Sequence, residues 1–369
     1  NNANLFVPNR LFVWGSQGQG QLGQNNLTNY SSPTQIPGTT WSRSGALGSK
    51  GVAALKSDGT LWSWGYNANG MMGVNIAQNA GLQSASSPMQ IGTETTWSNN
   101  FVSGGSRMFA TKTDGTLWAW GASHSGGLGQ NNNTYYSSPV QIPGTTWSTT
   151  AGHLSGGAGA WCMKTDGTMW VWGWNNYGQS GLNTANDGYS SPIQIPGTGW
   201  KSVHSNSYTS NCIVKTDGTL YAVGRGSMGV LAQNSEIHYS SPVQIPGTTW
   251  KEASGGYRYY MATKTDGTLW AWGNNEFGVL AGGLAHDAHR SSPVQIPGTN
   301  WNLIHAIEKT AYGIKTDGTL WGWGHGYKGE LGLNQSGANT YYSSPVQIPG
   351  TDWTGIRGGD FWVHATKSS

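Results

Sequence analysis

The sequence predicts an all-β protein, a seven-bladed β-propeller of four-stranded antiparallel blades. The ring is expected to close through a blade shared between N- and C-terminal strands. Three recurring signatures carry this expectation. The first is a strand ending in Trp-Gly, at Trp14, Trp64, Trp120, Trp172, Trp272 and Trp323, with Val223 in the remaining unit. The second is SSPxQI, with its proline at Pro33, Pro88, Pro139, Pro192, Pro242, Pro293 and Pro345. The third is a Trp after an IPGT-like turn, at Trp41, Trp97, Trp147, Trp200, Trp250, Trp301 and Trp353. The Trp-Gly positions lie 50, 56, 52, 51, 49 and 51 residues apart. Units of that length built only of short strands are propeller blades.

The unit from 250 to 298 shows how each strand arises. Lys251–Ser254 follows the turn Trp as a short first strand, and Tyr259–Lys264 is a second. Thr265-Asp266-Gly267 is a hairpin turn, because Asp-Gly tolerates the left-handed backbone that tight hairpins need. Thr268–Trp272 is the third strand and Ser292–Ile296 the fourth, before Pro297-Gly298 turns into the next unit. In TLWAW, Leu269 and Ala271 share one face while Trp270 and Trp272 share the other. Both faces are apolar, so the strand needs cover on both sides, which blades stacked in a ring supply.

Six units carry the Asp-Gly hairpin, at Asp58, Asp114, Asp166, Asp217, Asp266 and Asp317. The seventh is divided between the chain ends. Phe361–Ser369 reads as a second strand that stops just before the turn, and Leu11–Gly15 resumes as a third. The expected organisation is an arm over 1–10 and one propeller over 11–369, with blade 7 made of 353–369 and 11–37. Such closure removes open sheet edges.

Composition narrows the function classes. Charged residues are 9% of the chain, against about 25% in an average globular protein. The 21 Trp and 16 Tyr exclude a disordered chain. Net charge is +3, and seven of the Lys recur at one repeat position, so the basic stripe of a nucleic-acid binder is missing. No apolar run approaches the roughly 20 residues that span a bilayer. The chain starts at NNANLFVPNR with neither Met nor signal peptide, so it is expected to be processed or part of something longer. Cys162 and Cys212 sit one register apart in successive units and read as buried free thiols rather than a disulfide.

KTDGTLWAWGxNxxGxLG followed by SPVQI resembles the regulator-of-chromosome-condensation repeat over 11–367. The resemblance implies a seven-bladed propeller with about 50 residues per blade. It implies little about activity, since the fold hosts a chromatin-bound nucleotide exchange factor, a plant UV-B photoreceptor and a secreted bacterial β-lactamase inhibitor. Eukaryotic members carry a His after the Gly-Gly of the second strand. The stretches GGSRMFATK (104–112), GGAGAWCMK (156–164) and GGYRYYMATK (255–264) lack it. Near-identity of the units suggests recent amplification, as in bacterial or phage repeats.

Eighteen of the 21 Trp recur at three repeat positions and read as wedges between blades. Trp161, Trp174 and Trp362 do not, and are candidates for the surface. The Asp-Gly aspartates sit at hairpin tips, where turn chemistry explains them better than metal binding. His286 and His289 form the one dense His cluster, a weak candidate for a transition metal. No cofactor is expected, and no nucleophile elbow or phosphate loop occurs.

On a repeat scaffold, function lives where the units differ. One variable interval lies between GxLG and SSP. The other lies between the turn Trp and the repeat Lys, and opens the strand expected to line the channel. It holds Arg107, Phe109, Trp161, Tyr208, Tyr257, Arg258, Tyr259, Lys309, Asp360 and Trp362, of the residue types enriched in binding hot spots. Those ten are the expected partner-binding residues, gathered on one face of the ring. The leading expectation is a non-enzymatic interaction or structural module, extracellular or virion-associated, serving adhesion or assembly. Its partner would be a protein or surface glycan, with no nucleic acid and no membrane insertion, as one component of a larger assembly. A secreted inhibitor of an enzyme is the alternative, and an exchange factor or Trp-based photoreceptor stands behind both.

Overall fold

The structure is a computed structural model. It describes residues 9–47, 50–76, 83–157, 159–206, 209–282, 288–337, 340–359 and 361–368. Its strands form seven blades, lettered a to d from the axis outward. Blade 1 is Trp41–Leu47, Gly51–Lys56, Leu61–Tyr66 and Ser84–Gln90, and blade 2 is Trp97–Gly104, Arg107–Lys112, Leu117–Gly121 and Tyr136–Ile142. Blade 3 is Leu154–Gly156, Gly159–Met163, Met169–Asn175 and Asn186–Ile195, and blade 4 is Trp200–Ser205, Ser210–Lys215, Leu220–Gly224 and Tyr239–Ile245. Blade 5 is Trp250–Gly255, Tyr259–Lys264, Leu269–Gly273 and Arg290–Ile296, and blade 6 is Trp301–Ala306, Thr310–Lys315, Leu320–His325 and Tyr341–Ile348. Blade 7 takes Trp353–Gly359 and Trp362–Ser368 from the C-terminus and Asn9–Gly15 and Tyr30–Gln35 from the N-terminus.

The chain ends are zipped together residue by residue. Asn9–Gly15 pairs antiparallel with Trp362–Ser368, from Asn9 opposite Ser368 to Gly15 opposite Trp362. Asn9 and Arg10, expected in an arm, are therefore strand residues, while 1–8 lie outside the described residues. Each inner strand packs against the inner strands on both sides, and blade 7 packs on blade 1, so the circle is complete.

Seven hydrophobic clusters fill the seven gaps between neighbouring blades. A Trp-Gly indole fills six of the seven gaps. Trp64, Trp120, Trp272, Trp323 and Trp14 donate their ring N–H to Gln21, Met71, Val230, Val279 and Glu330 carbonyls of the preceding blade, at 3.0, 2.9, 2.9, 2.8 and 2.6 Å. The glycine that follows serves a second purpose. At Gly65, φ is +94°, and a Cβ would lie 2.5 Å from the Lys50 carbonyl, so only glycine fits. A further clasp lies outside the core: Asn25, Asn75, Asn131, Asn183, Asn234 and Asn334, all with positive φ, donate backbone N–H at 2.8 Å to a Ser carbonyl in the SSP of the next blade. The proline of SSPxQI belongs to strand d, the outer edge, where a missing N–H costs no ladder bond.

The Trp two residues before Trp-Gly departs from the wedge expectation. Trp62, Trp118, Trp170, Trp270 and Trp321 are half-buried and lie beneath the repeat lysine. Lys56, Lys112, Lys164, Lys264 and Lys315 place their ammonium groups 3.9, 4.0, 4.0, 4.2 and 4.5 Å from these ring centroids. Each lysine also stands over its turn Trp, as Lys264 does over Trp250 at 4.7 Å. The outward indole face that the blade stack leaves uncovered is thus covered by a cation. At the hairpin tip, Asp266 Oδ1 accepts from the Thr268 N–H and hydroxyl at 2.9 and 2.7 Å, and Thr268 Oγ1 accepts the Trp270 N–H at 2.9 Å. The Thr hydroxyl and amide hold the Asp266 carboxylate below its ordinary range. Turn chemistry is the role of these aspartates.

Blade 4 lacks the indole clasp, having Val223, and the structure shows what replaces it. The c–d loop glycines Gly23, Gly73, Gly129 and Gly332 face the Trp-Gly indole of the next blade, whereas Gly181 faces Trp161. Trp161 is fully buried with Val223, Trp200 and Ile213. An extra Trp in blade 3 fills the volume that the Trp-to-Val exchange leaves in blade 4. Cys162 and Cys212 are free and lie in different gaps, the blade 2/3 and blade 4/5 clusters.

Two predictions follow from this packing. Trp161→Ala should cost about 3–5 kcal/mol in denaturant unfolding, and Val223→Trp alone about 1–3 kcal/mol through overpacking. The double variant should be more stable than the sum of the two losses implies, because the new indole occupies the emptied space. Burial pushes both thiols upward in pKa. Neither cysteine should react with a disulfide reagent in the native protein, and two thiols should titrate in denaturant.

Candidate protein interface

Strand direction sorts the loops onto two faces. The Asp-Gly hairpins and the d-to-a turns share one face. The a–b and c–d loops share the other, and there the blades differ most.

From blade 3 to blade 7 this second face carries a belt of rings and cations. Tyr177 lies 5.7 Å from Trp174 and 5.5 Å from His238, with the Arg225 guanidinium 4.8 Å from its centroid. The Tyr257 amide donates to the Glu308 carbonyl at 2.9 Å, joining the a–b loops of blades 5 and 6, and Arg258 stands 5.1 Å over Tyr257. Lys309 places its ammonium 4.6 Å from Phe277 and 5.8 Å from Phe361. His325 is the hub of the sector, with Phe277, Tyr327, Tyr341 and Phe361 at 5.6, 5.9, 5.1 and 6.2 Å. Glu330 fixes it: Oε1 lies 2.8 Å from His325 Nδ1, and Oε2 accepts the Lys328 N–H at 2.6 Å. Tyr327 and Tyr341 remain 41% and 39% exposed over this buried pair. The arrangement is a rigid aromatic surface with cations at its edge.

Of the expected partner-binding residues, Tyr257, Arg258 and Lys309 lie in this sector. Tyr208 and Asp360 lie outside the described residues, as does His286, while His289 is exposed just before strand d of blade 5. Arg107, Phe109, Trp161, Tyr259 and Trp362 are buried and offer no surface. They stand on strand b, which is second from the axis rather than the channel-lining strand; strand a lines the channel. A neighbouring blade covers strand b on each side, so both sets of alternating side chains enter a core. Phe109 packs on Trp172, Trp362 on His364, and the Tyr259 hydroxyl lies 2.9 and 2.8 Å from the Ile307 and Thr310 carbonyls of blade 6. Arg107 is tucked under Gly127, and desolvation pushes its pKa down to about 10. Among the three Trp outside the repeat positions, Trp174 alone stays partly exposed.

Phe277, His325 and Tyr327 were not among the expected residues. Their signal was an aromatic near the second Gly of GxNxxG, in Asn275-Glu276-Phe277-Gly278 and Gly326-Tyr327-Lys328-Gly329. It sits inside the repeat consensus and so looked like scaffold.

The axial channel is a separate polar environment. His204 of blade 4, Glu252 of blade 5, His305 of blade 6, Arg357 of blade 7 and Arg43 of blade 1 all stand on the inner strands that border it. Burial, reinforced by Arg357, pushes His204 down to about 4, His305 well below its ordinary range, and His364 beside them to about 3.

This fold is that of a closed seven-bladed propeller. The regulator of chromosome condensation (RCC1) repeat family matches residues 9–55. The Arabidopsis thaliana ultraviolet-B receptor UVR8 is 24% identical over 335 residues, 88% of this chain and 74% of that protein. The human E3 ubiquitin-protein ligase HERC2 is 26% identical over 185 residues, 48% of this chain, and the match spans 4% of HERC2. Among solved structures, Prp20p of Saccharomyces cerevisiae, studied for its binding to Gsp1p and histones, superposes with a TM-score of 0.84 at 17% identity, covering 99% of this chain and 93% of that one. The chain thus carries a regulator-of-chromosome-condensation repeat match over residues 9–55 and shares the propeller fold of these proteins.

The depressed histidines predict acid lability. The unfolded chain protonates them near pH 6.5 and the folded chain only near 3 to 4 for His364 and His204, so stability is present above 6.5 and lost as pH falls through that window. The unfolding free energy should fall by up to about 1.4 kcal/mol per pH unit for the fully buried His364. Denaturant titrations between pH 7 and 4 should show a shallower slope for His364→Asn.

Proposed function

We propose that this propeller is a non-enzymatic protein-binding module that docks its partner on the a–b and c–d loop face, centred on blades 5 to 7. The observation that carries the reading is the exposed Tyr327–Tyr341 pair held over the buried His325–Glu330 contact, with Lys309 clamped between Phe277 and Phe361. Rings locked by packing lose little entropy on binding, and Tyr with flanking cations is the composition of hot spots. A protein partner fits better than a glycan because partly exposed tyrosines beside cations match the composition of protein hot spots. The sparse charge of the chain fits an extracellular or virion setting for adhesion or assembly. Were the partner an enzyme silenced by docking, the module would be an inhibitor acting through the same face.

The test compares the full chain with a Lys309→Ala/Tyr327→Ala/Tyr341→Ala variant and with Asp217→Asn/Asp266→Asn on the opposite face. A partner recovered from the producing cells and purified should lose roughly 30-fold or more in affinity for the first variant. It should bind the second as it binds the wild type. Equal binding by the triple variant would refute the docking face. Faster nucleotide release from a captured GTPase would replace adhesion with exchange.

A further inference from the structure

Between blades 4 and 5, on the a–b and c–d loop face, two arginines open onto one small recess. Thr209, Ser210, Arg225 and Ser227 of blade 4 and Arg258 of blade 5 line it, with no Asp or Glu among the described lining residues. It holds about 190 Å³. A site that encloses a whole drug-sized ligand takes roughly 300–1,000 Å³. The recess therefore suits one terminal group rather than a ring system.

Both guanidiniums are held from behind. Arg225 directly follows the Gly224 that ends strand c, a position where no other unit has arginine. Its amide donates to the Thr209 carbonyl at 3.1 Å and its Nε to Ser227 Oγ at 3.0 Å. Its Cζ lies 4.8 Å from the Tyr177 ring centroid. These contacts leave its two Nη groups without an acceptor among the described residues. Arg258 crosses from blade 5 to the same loop, where Nη1 points at Met228 Sδ, 3.9 Å away. A thioether is a weak acceptor, which orients the guanidinium without competing for an anion. Arg258 Cζ also stands 5.1 Å from the Tyr257 centroid. The two blades are clasped here by the Tyr260 hydroxyl, which donates to the Ser210 carbonyl at 2.7 Å.

A third donor lines the same space. Thr209 is 5% exposed, and its hydroxyl has no partner among the described residues. A buried hydroxyl left unpaired is costly, and a ligand oxygen that accepts from it recovers that cost. Two planar forks and a hydroxyl, with no acid beside them, match the two oxygens of a carboxylate.

We propose that this recess binds a single carboxylate group, held between Arg225 and Arg258 with Thr209 Oγ1 donating to one oxygen. The group is carried by a free small acid or by an acidic side chain of a peptide, which present the same two oxygens. The site goes beyond the docking surface of blades 5 to 7 and uses none of Lys309, Tyr327 and Tyr341.

Saturation-transfer NMR of the full chain with sodium acetate, at ionic strength held with chloride, tests the proposal. Saturable transfer to the acetate methyl should appear. Arg225→Gln and Arg258→Gln should each weaken binding by about tenfold or more, the loss of a charge-assisted hydrogen bond. Thr209→Val should weaken it several-fold, and carries the test if an arginine variant does not fold. The Lys309→Ala/Tyr327→Ala/Tyr341→Ala variant should bind acetate as the wild type does, which separates this site from the docking face. Displacement of acetate by acetyl-Gly-Glu-Gly-amide, and not by its Gln counterpart, means that the recess also accepts a carboxylate on a chain. Acetate binding that the peptide leaves undisturbed means a free acid. Inorganic phosphate that binds more tightly than acetate overturns the assignment to carboxylates. No saturable binding of acetate or the peptide, or acetate affinity unchanged by all three single substitutions, overturns the site itself.

Discussion

The propeller depends on the contact between the Trp-Gly indole of one blade and the c–d loop of the blade before it. Each of the six indoles fills its gap with apolar surface, and five of them, all but Trp172, spend their only polar atom on a carbonyl across that gap. Burying a ring of this size supplies much of the energy of a blade interface, and the directed N–H sets the angle at which blades meet. A fixed angle repeated around an axis makes a ring when it divides the full circle, and an open helix otherwise. Here it closes after seven, with the last sheet assembled from both ends of the chain.

That constraint explains where variation is tolerated. Strand b is covered on both sides, so its residues are committed to cores, and strand c leaves only its first Trp half-covered. The a–b and c–d loops stand free of the stack and hold the aromatic belt. Strand a borders the axis, where no blade covers it and where side chains from seven directions meet. The Lys–Trp pairs on the hairpin face show the same economy: where the stack leaves an indole half-covered, the adjacent lysine finishes the job.

Much of the architecture was legible because its causes are local. Asp-Gly makes a hairpin wherever it lies between strands, and Pro in SSPxQI marks an edge wherever it falls. FWVHATK at one end and LFVWG at the other are the second and third strands of one repeat, so the shared blade is written in the sequence. The functional surface was harder to read. Phe109, Trp161, Tyr259 and Trp362 vary between units as binding residues do, yet they vary because each gap is packed differently. Trp161 answers Val223, sixty-two residues away in the chain and in the next blade, and neither repeat alone reveals the pairing.

The sequence by itself determined the strands, their turns, the number of blades and the closure, since each follows from a short pattern repeated at a steady interval. Only the tertiary structure decided which aromatic side chains face solvent. Exposure depends on the neighbouring blade: Trp161 and Trp362 are buried because the adjoining sheet covers strand b, a relation that no spacing along the chain reveals.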